Sequence, residues 1–415
     1  MSDIVLIWAA LVVGSVVTGA AFVGILVAPR SLEGPYAAAG LASFVLCAWG
    51  FGAVTLTYDR LDAIVYAFVF GLAGIAGGYA LVSTLLGCLA RRGHPSFVPA
   101  PDSLASERRE AAVLVLGEVE PPTYSPRSTA QALEDLADEG LLRASIGVLP
   151  FLFMAQKTRY RAAGGTSPAA RQLDALAERV EATLRAGPGL VEPAWCDGDR
   201  SLVSRVAARV ASGFRTIVVA EAVIAESLEV DAAKRAVDGL RLSDLGVSVT
   251  YSEPLWRSER IASLVATRIS AVLGDPTVGG VVLVGQGQPD DRARDRGEFD
   301  EEETAFLSRV KMLLIERGVP DQSVRVAWAD WHTPDVTGTV RHLAALGCRR
   351  IAVSPACFPL DSITTLLDLQ LSVRQARAEE SISVVTLPAW HDDPALTEEL
   401  CERIEAALAG SAHGL

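Results

Sequence analysis

The side chains that most often perform chemistry are sparse in this sequence. Only five histidines occur in 415 residues. His332 lies in the run WADWHTP, directly after a strand-like segment, and His391 lies in PAWHDDP near the C-terminus. A histidine in such a position can bind a metal ion or transfer a proton. A packed or surface ring with satisfied hydrogen bonds is the commoner alternative, and both interpretations stay open for each residue.

The carboxylates and cysteines of the sequence do not form an obvious metal site. Pro289–Glu303 (PDDRARDRGEFDEEE) holds eight carboxylates, but three arginines are mixed with them. This pattern favours a solvated loop and a helix start over a site that collects cations. The six cysteines include no C-x-x-C pair, which argues against a disulfide scaffold or a structural zinc site. The sequence therefore predicts no metal ligand set.

Charge is distributed unevenly along the chain. Residues 1–94 contain four basic and four acidic side chains, so the formal net charge of −13 falls entirely on residues 95–415. Half of all residues are hydrophobic and only 21% are charged. A uniformly soluble protein is excluded by the first segment, and the acidic remainder argues against binding to nucleic acid.

Three uncharged stretches predict a membrane domain over residues 1–93. They are Ile4–Ala28, Pro35–Tyr58 and Ala63–Ala90, and each exceeds the roughly 20 residues that a helix needs to cross a bilayer. Arg91 and Arg92 follow the third stretch and predict a cytoplasmic exit. The sequence thus predicts an inner-membrane protein with three spans, an outside N-terminus and a cytoplasmic soluble part after a linker at 94–110.

The spans carry small residues at helical spacing and no ionisable side chain. Ser15 and Gly19 are four residues apart, as are Gly74 and Gly78. Such pairs let helices approach closely, either among these three helices or against the helices of another membrane protein. Three helices are more than anchoring requires, so we expect a membrane-protein partner. The absence of charge gives an ion or proton pathway nothing to use.

The remainder of the chain alternates short apolar runs with amphipathic helical patterns. The helical patterns include 171–185, 258–273, 302–317 and 336–346. The expected strands are Ala112–Leu116, Ala144–Leu149, Thr216–Val219, Val247–Tyr251, Gly279–Val284, Val324–Ala329, Arg350–Val353 and Ser383–Leu387. This alternation predicts an α/β fold with parallel sheets covered by helices on both faces.

Five motifs in this part resemble ferrochelatases, in the family's order and at similar separations. The first reads KTRYRAAGGTSP before a helix, with paired glycines suited to a tight turn and Ser-Pro suited to a helix start. The others are VLVLGEVE at 113, VVLVGQGQP at 281, IAVSPACFPLDSITTLLDL at 351 and PAWHDDP at 388. The resemblance covers about 111–408, and we assign 111–415 to a ferrochelatase-like domain. It implies two Rossmann-like halves with a tetrapyrrole cleft between them, and it implies tetrapyrrole binding by Tyr160, Gly164, Gly165, Ser167 and Pro168.

The resemblance also shows where the expected chemistry has changed. Gln286 stands at the position of the family's histidine and Thr364 at that of its glutamate, whereas Asp368 keeps a second acidic position. Glutamine is a poor ligand for Fe²⁺ and accepts no proton near neutral pH. Loss of a general base alone lowers a rate by about 10²–10⁴. His332 is a candidate to replace the lost group, while His391 falls on the family's asparagine position.

These observations predict a membrane-held ferrochelatase-like protein of heme biosynthesis. It would bind a tetrapyrrole (porphyrin or heme), or serve as an assembly or structural subunit, with weak or no metal insertion. The alternative is an active ferrochelatase with a rearranged metal site. No iron–sulfur cluster is expected, because Cys196, Cys348, Cys357 and Cys401 lack the clustering of the family's cluster ligands.

Overall fold

The computed structural model describes residues 2–58, 60–90, 111–138, 142–145, 147–185, 189–289, 298–379 and 382–412. They form two compact units, Met1–Pro95 with Thr123–Thr166, and Ser96–Pro122 with Ser167–Leu415. Residues 123–166 therefore group with the apolar helices, although the sequence places them in the ferrochelatase-like domain. The predicted linker at 94–110 and the basic pair Arg91 and Arg92 lie outside the described residues.

The first unit is built on three long helices, α1 (Ser2–Val27), α2 (Arg30–Thr57) and α3 (Leu61–Ala90). All three are long and apolar enough to cross a membrane. Half of the α1 span is buried within the chain, against 17% for α2 and 22% for α3. The reason is that α1 packs against both of the other helices.

The small residues of the spans bring α1 and α3 into close contact. A Cβ atom on Gly78 would lie 1.9 Å from the Val16 carbonyl oxygen, and one on Gly19 would lie 2.0 Å from that of Ile75. A Cβ on Gly74 would meet the Ser15 hydroxyl. These residues therefore serve packing within the three-helix bundle, one of the two roles that the sequence left open.

Two shorter helices complete the first unit, α4 (Pro126–Asp138) and α5 (Leu149–Ala162). The predicted strand Ala144–Leu149 is wrong, since residues 142–145 have no regular structure and a helix begins at Leu149. A short apolar run does not distinguish a strand from a buried helix. Here Pro150 decides the outcome, because proline suits the first turn of a helix.

The second unit contains two parallel four-stranded sheets of identical topology. The first comprises β1 (Ala112–Gly117), β2 (Leu190–Trp195), β3 (Thr216–Glu221) and β4 (Ser248–Tyr251), in the order β2-β1-β3-β4. The second comprises β5 (Gly279–Gly285), β6 (Val324–Trp328), β7 (Arg350–Ser354) and β8 (Ser383–Thr386), in the order β6-β5-β7-β8. The two Rossmann-like halves of the predicted fold are confirmed.

Helices cover both faces of each sheet. They are α6 (Ala169–Thr183), α7 (Leu202–Ala211), α8 (Leu228–Asp238), α9 (Glu259–Leu273), α10 (Glu298–Glu316), α11 (Val336–Ala345), α12 (Leu369–Glu379) and α13 (Pro394–Ala412). Helices α7 and α8 close one face of the first sheet, and α11 and α12 close one face of the second. One continuous apolar core joins the remaining faces through α6, α9, α10 and α13. The halves are thereby fixed to each other.

Strand β2 is missing from the sequence prediction. Its run LVEPAW carries Glu192 and Pro193, which interrupt an apolar pattern. Because β2 lies at the edge of its sheet, a proline there removes no hydrogen bond from a central ladder. Edge position therefore permits a strand whose sequence does not look like one.

Candidate functional site

The carboxyl ends of the parallel strands bring polar residues from both sheets together. In each sheet the first strand lies between the second and the third, and ligands of α/β proteins bind where connections diverge in this way. Glu118 follows β1, Glu221 ends β3, and Gln286 follows β5. The Gln286 side chain forms a hydrogen bond with Glu118. Thus the equivalent ends of the two sheets meet at Gln286.

Glu303 stabilises the turn after β5 by hydrogen bonds to its backbone. Its carboxylate accepts hydrogen bonds from the backbone N–H groups of Gln286 (3.1 Å) and Gly287 (3.0 Å). The side chain comes from α10, is only 1% exposed, and also accepts a hydrogen bond from the Cys357 thiol. Burial raises the pKa of Glu303 to about 7. This carboxyl group can therefore gain or lose a proton near neutral pH.

Glu118 is the second carboxyl group of this site. Burial, and then the charge of Glu229, raise the pKa of Glu118 to about 7, although Ser227 and Gln286 donate hydrogen bonds to it. Gln286 is therefore bonded to two carboxyl groups, through its side chain to Glu118 and through its backbone to Glu303. The side-chain amide and the backbone N–H of Gln286 each have a carboxyl partner.

A third buried carboxyl group, Glu221, is paired with a lysine. Lys234 lies 2.5 Å from Glu221 and 2.9 Å from Glu226, and its ammonium group also lies over the ring of Tyr251. Burial raises the pKa of Glu221 to about 7, with Lys234 opposing the shift. The first sheet therefore ends in a buried ion pair beside the Glu118 site.

His332 lies close to the same turn. A Cβ on Gly287 would lie 3.1 Å from the His332 ring carbon Cδ2. The His332 Nε2 atom is 3.1 Å from Asp300 Oδ1, and its ring packs edge-on against Trp328 with centroids 5.1 Å apart. The structure thus places His332 next to the Gln286 turn, where its ring is already hydrogen-bonded to Asp300. The second candidate histidine is His391. Its backbone carbonyl oxygen accepts a hydrogen bond from Arg179.

Thr364 and Asp368 lie in the second half, at a cavity that Val284 and Trp328 at the ends of β5 and β6 also line. They occupy a π-helical turn, Thr364–Asp368, at the start of α12. Both line a cavity of about 170 Å³ with Trp328, Asp335 and Phe358. Small-molecule pockets typically measure roughly 300–1,000 Å³, so this cavity fits an ion with its waters better than a whole macrocycle.

Other motif residues connect the halves by hydrogen bonds. Asp361 is buried and accepts from the side chain of Gln172 on α6 (3.1 Å) and from the backbone N–H of Ala389 (3.0 Å). Glu120 accepts from the Ser167 hydroxyl (2.6 Å) and from the Ile363 backbone (2.5 Å). Four of the five motifs recognised in the sequence therefore share one structural network.

The five residues expected to bind a tetrapyrrole are distributed over both units. Tyr160 is buried and its ring contacts that of Tyr124. Gly164 and Gly165 are exposed, with φ of 95° and 89°, and form the tight turn that their pairing predicts. Ser167 is buried beside Glu120, and Pro168 precedes α6 as its N-cap residue. These contacts give Gly164, Gly165 and Ser167 structural roles, and tetrapyrrole binding by the five residues stays a prediction.

Sequence reasoning missed Glu118, Glu221 and Glu303. Glu118 directly follows a buried strand and Glu221 is the last residue of one, which is a usable signal. Glu303 belongs to the acidic run that the sequence interpreted as solvated. That run does start a helix, at Glu298, but Glu303 is turned into the core. Among the described residues, no three His, Cys, Asp or Glu side chains form a group that could hold a metal ion.

Comparisons with known proteins agree with this architecture. A family model for ferrochelatase matches residues 302–408. A ferrochelatase of Synechococcus sp. (strain RCC307) is 25% identical over 154 residues, and one of Thermosynechococcus vestitus is 28% identical over 129 residues. These segments cover 36% and 30% of this chain, and 40% and 33% of the two relatives. The chain thus matches less than half of either ferrochelatase.

Among solved structures, SirB from Bacillus subtilis with Fe³⁺ superposes with a TM-score of 0.48 and 14% identity, over 73% of this chain and 98% of SirB. A cobalt complex of the sirohydrochlorin chelatase SirB superposes with a TM-score of 0.45. The two parallel sheets with their covering helices define an α/β protein, and part of its sequence is similar to ferrochelatases.

Proposed function

We propose that this chain is a membrane-anchored, ferrochelatase-like protein that binds a tetrapyrrole and inserts metal weakly or not at all. The three apolar helices would span the inner membrane, with the N-terminus outside and the α/β unit in the cytoplasm. The chelatase-type fold supports a porphyrin or heme as the ligand. Assembly or delivery of the ligand, within heme biosynthesis, is then the role left to the protein.

The state of Gln286 is the observation that carries this proposal. A side-chain amide neither accepts a proton near neutral pH nor competes well for Fe²⁺. Here the Gln286 side chain is also bonded to Glu118. Thr364 offers only a hydroxyl, beside Asp368 in a cavity of about 170 Å³. Neither position supplies the base that removal of pyrrole protons requires.

Glu118 and Glu303 favour a second candidate, an active chelatase with a rearranged site. Both carboxyl groups have a pKa raised to about 7 by burial, so each could take a pyrrole proton at neutral pH. This candidate predicts that activity depends on Glu303.

A metal-insertion assay separates the two candidates. Full-length protein in detergent is mixed with porphyrin and Fe²⁺, and loss of free-porphyrin fluorescence is followed. We expect turnover about 10²–10⁴ below that of an ordinary ferrochelatase. Comparable turnover would contradict the proposal. If Glu303→Gln then abolished that turnover while Glu316→Gln, an exposed site on the same helix, left it intact, the rearranged site would be established.

A structural role in a larger complex is the third function that the sequence allows. The small residues of α1 and α3 are used inside the bundle, so a partner would contact the largely exposed apolar faces of α2 and α3. Native electrophoresis in mild detergent tests this role. Migration well above the 43.8 kDa chain together with its detergent micelle would support a partner, and migration as a monomer would exclude one.

A further inference from the structure

Helix α5 lies beside the three long helices. The contacts between α1 and α3 show which residues of these helices are at the same level along the bundle. Gly19 of α1 lies against Ile75 and Tyr79 of α3, and Gly78 lies against Val16 and Ala20. Residues 16–20 of α1 are therefore level with residues 75–79 of α3. The two helices run in the same direction, so these levels can be followed to the α1–α2 turn.

The two ends of α5 are fixed at different depths. At its start, the Tyr79 hydroxyl donates to the Gly147 carbonyl oxygen (2.5 Å). Two turns later, the Lys157 ammonium donates to the carbonyl oxygens of Ile25 (2.5 Å) and Ala28 (3.1 Å) at the α1–α2 turn. From the level of Tyr79 to that turn is about eight helical residues, or ~12 Å. From Leu149 to Lys157 is the same length, so α5 lies nearly along the bundle axis.

The beginning of α5 falls below the expected surface of the hydrocarbon. A core of about 30 Å takes up roughly 20 helical residues. Counted from Ile4 and Ala63, which follow Asp3 and Asp62, the core ends near Val23 and Ser83. Tyr79 lies about four residues, or ~6 Å, inside that boundary. Gly147 is at this level or deeper, because helical side chains point towards the N-terminus.

The residues at this depth suit lipid. Residues 147–155 carry no charge. Phe153 packs inwards against Val23, Leu26 and Val27. On the opposite side, Val148, Phe151 and Met154 are 46%, 44% and 37% exposed, and their spacing of three places them along one side of the helix. Exposure of three such apolar side chains to water costs free energy, whereas contact with lipid chains removes that cost.

Several backbone N–H groups at the deep end find acceptors within the protein, which a nonpolar environment favours. The Val148 N–H donates to Ser145, and those of Phe151 and Leu152 donate to Val148. Pro150 has no N–H group to satisfy. Charge begins only one helical turn after Phe153. There Lys157 and Arg161 both pair with Glu33 at the α1–α2 turn, the level expected for lipid headgroups.

We infer that α5 is a membrane-embedded half-helix: residues 147–155 lie in the leaflet on the side of the α1–α2 turn, and Val148, Phe151 and Met154 contact lipid. This inference rests on the membrane anchoring proposed above. It adds a fourth membrane element that hydropathy alone does not reveal, because the apolar run is far shorter than a span.

Photo-crosslinking of the full-length chain tests the inference. Phe151→p-benzoylphenylalanine is reconstituted into nanodiscs of phosphatidylethanolamine and phosphatidylglycerol, irradiated and analysed by mass spectrometry for lipid adducts. Leu41→p-benzoylphenylalanine, 67% exposed on α2, is the positive control, and Leu371→p-benzoylphenylalanine, 48% exposed on α12, is the negative one.

We expect lipid adducts at positions 151 and 41 and none at position 371. Adducts at 41 without any at 151 would overturn the embedded half-helix and leave anchoring intact. Adducts at neither position would overturn membrane anchoring itself, and the inference with it. A parallel Met154→p-benzoylphenylalanine variant guards against a folding defect specific to position 151, and it should give the same lipid adducts.

Discussion

At the scale of single residues, buried carboxyl groups with a raised pKa shape the site. Glu303 stabilises the turn after β5 through two backbone N–H groups, yet burial raises its pKa from 4.5 to about 7. Between these values the folded chain binds more protons than the unfolded chain. Its stability must therefore fall as pH rises from about 4.5 to about 7, and then level off.

This linkage gives a testable pH dependence. We expect the melting temperature of the detergent-solubilised protein to decrease between pH 5 and pH 7.5. Glu303→Gln should make that decrease smaller, because an amide does not titrate. Part of the decrease should remain, because Glu118 and Glu221 also have raised pKa values. Glu316→Gln, on the surface of the same helix, should leave the slope unchanged. Parallel slopes for wild type and Glu303→Gln would contradict the assignment.

The substituted family positions lead to a gain-of-function prediction. Replacing Gln286 with His and Thr364 with Glu returns the ligand and the base that ferrochelatase resemblance implies. The double variant Gln286→His/Thr364→Glu should insert Fe²⁺ about 10²-fold faster than wild type. The control Gln286→Asn/Thr364→Ser should stay at the wild-type rate. Equal rates for both double variants would show that these positions do not limit metal insertion.

Glu118 and Glu303 could not be identified as site residues from the sequence, for a physical reason. Burial raises the pKa of both groups, and the hydrogen bonds to Gln286 oppose that shift. The burial depends on contacts between residues about 170 positions apart, which no local motif shows. By contrast, Gln286, Thr364 and Asp368 were found because local motifs position them.

At the scale of elements, helix contacts depend on where glycine allows close approach. Gly78 touches the α1 backbone, whereas a Cβ on the adjacent Gly77 would have nothing within 4 Å. Gly78→Leu should therefore lower the stability of the helical bundle by about 1–3 kcal/mol through overpacking, measured by SDS titration. Gly77→Leu is the matched control and should behave as wild type. Equal loss of stability in both variants would contradict this helix register.

Strand prediction succeeded where the runs are apolar and rich in β-branched residues. The inner strands β1, β3, β5 and β7 are such runs, as central parallel strands should be, and the edge strands β4, β6 and β8 were recognised by the same composition. β2 was not recognised, because an edge strand tolerates Glu192 and Pro193. The run at 144–149 was misassigned because its proline initiates α5. Local sequence thus predicts strands of regular composition and fails where polar residues interrupt an edge strand or a proline starts a helix.

At the scale of the whole molecule, the spans predict orientation. An odd number of spans puts the two chain ends on opposite sides of the membrane, and the basic residues after the third span favour a cytoplasmic exit. A fluorescent reporter fused after the C-terminus should fold in the cytoplasm. An alkaline phosphatase fusion at the same place should be inactive. Active phosphatase there would reverse the proposed topology.

We propose that this ferrochelatase-like protein binds a tetrapyrrole but inserts metal weakly or not at all. The most direct measurement is one absorption series on full-length protein in mild detergent, before and after addition of porphyrin and then of Fe²⁺. We predict a saturable, shifted Soret band whose free-porphyrin pattern persists after iron is added. Absence of a bound Soret band, or its rapid conversion to the heme spectrum, would contradict the account.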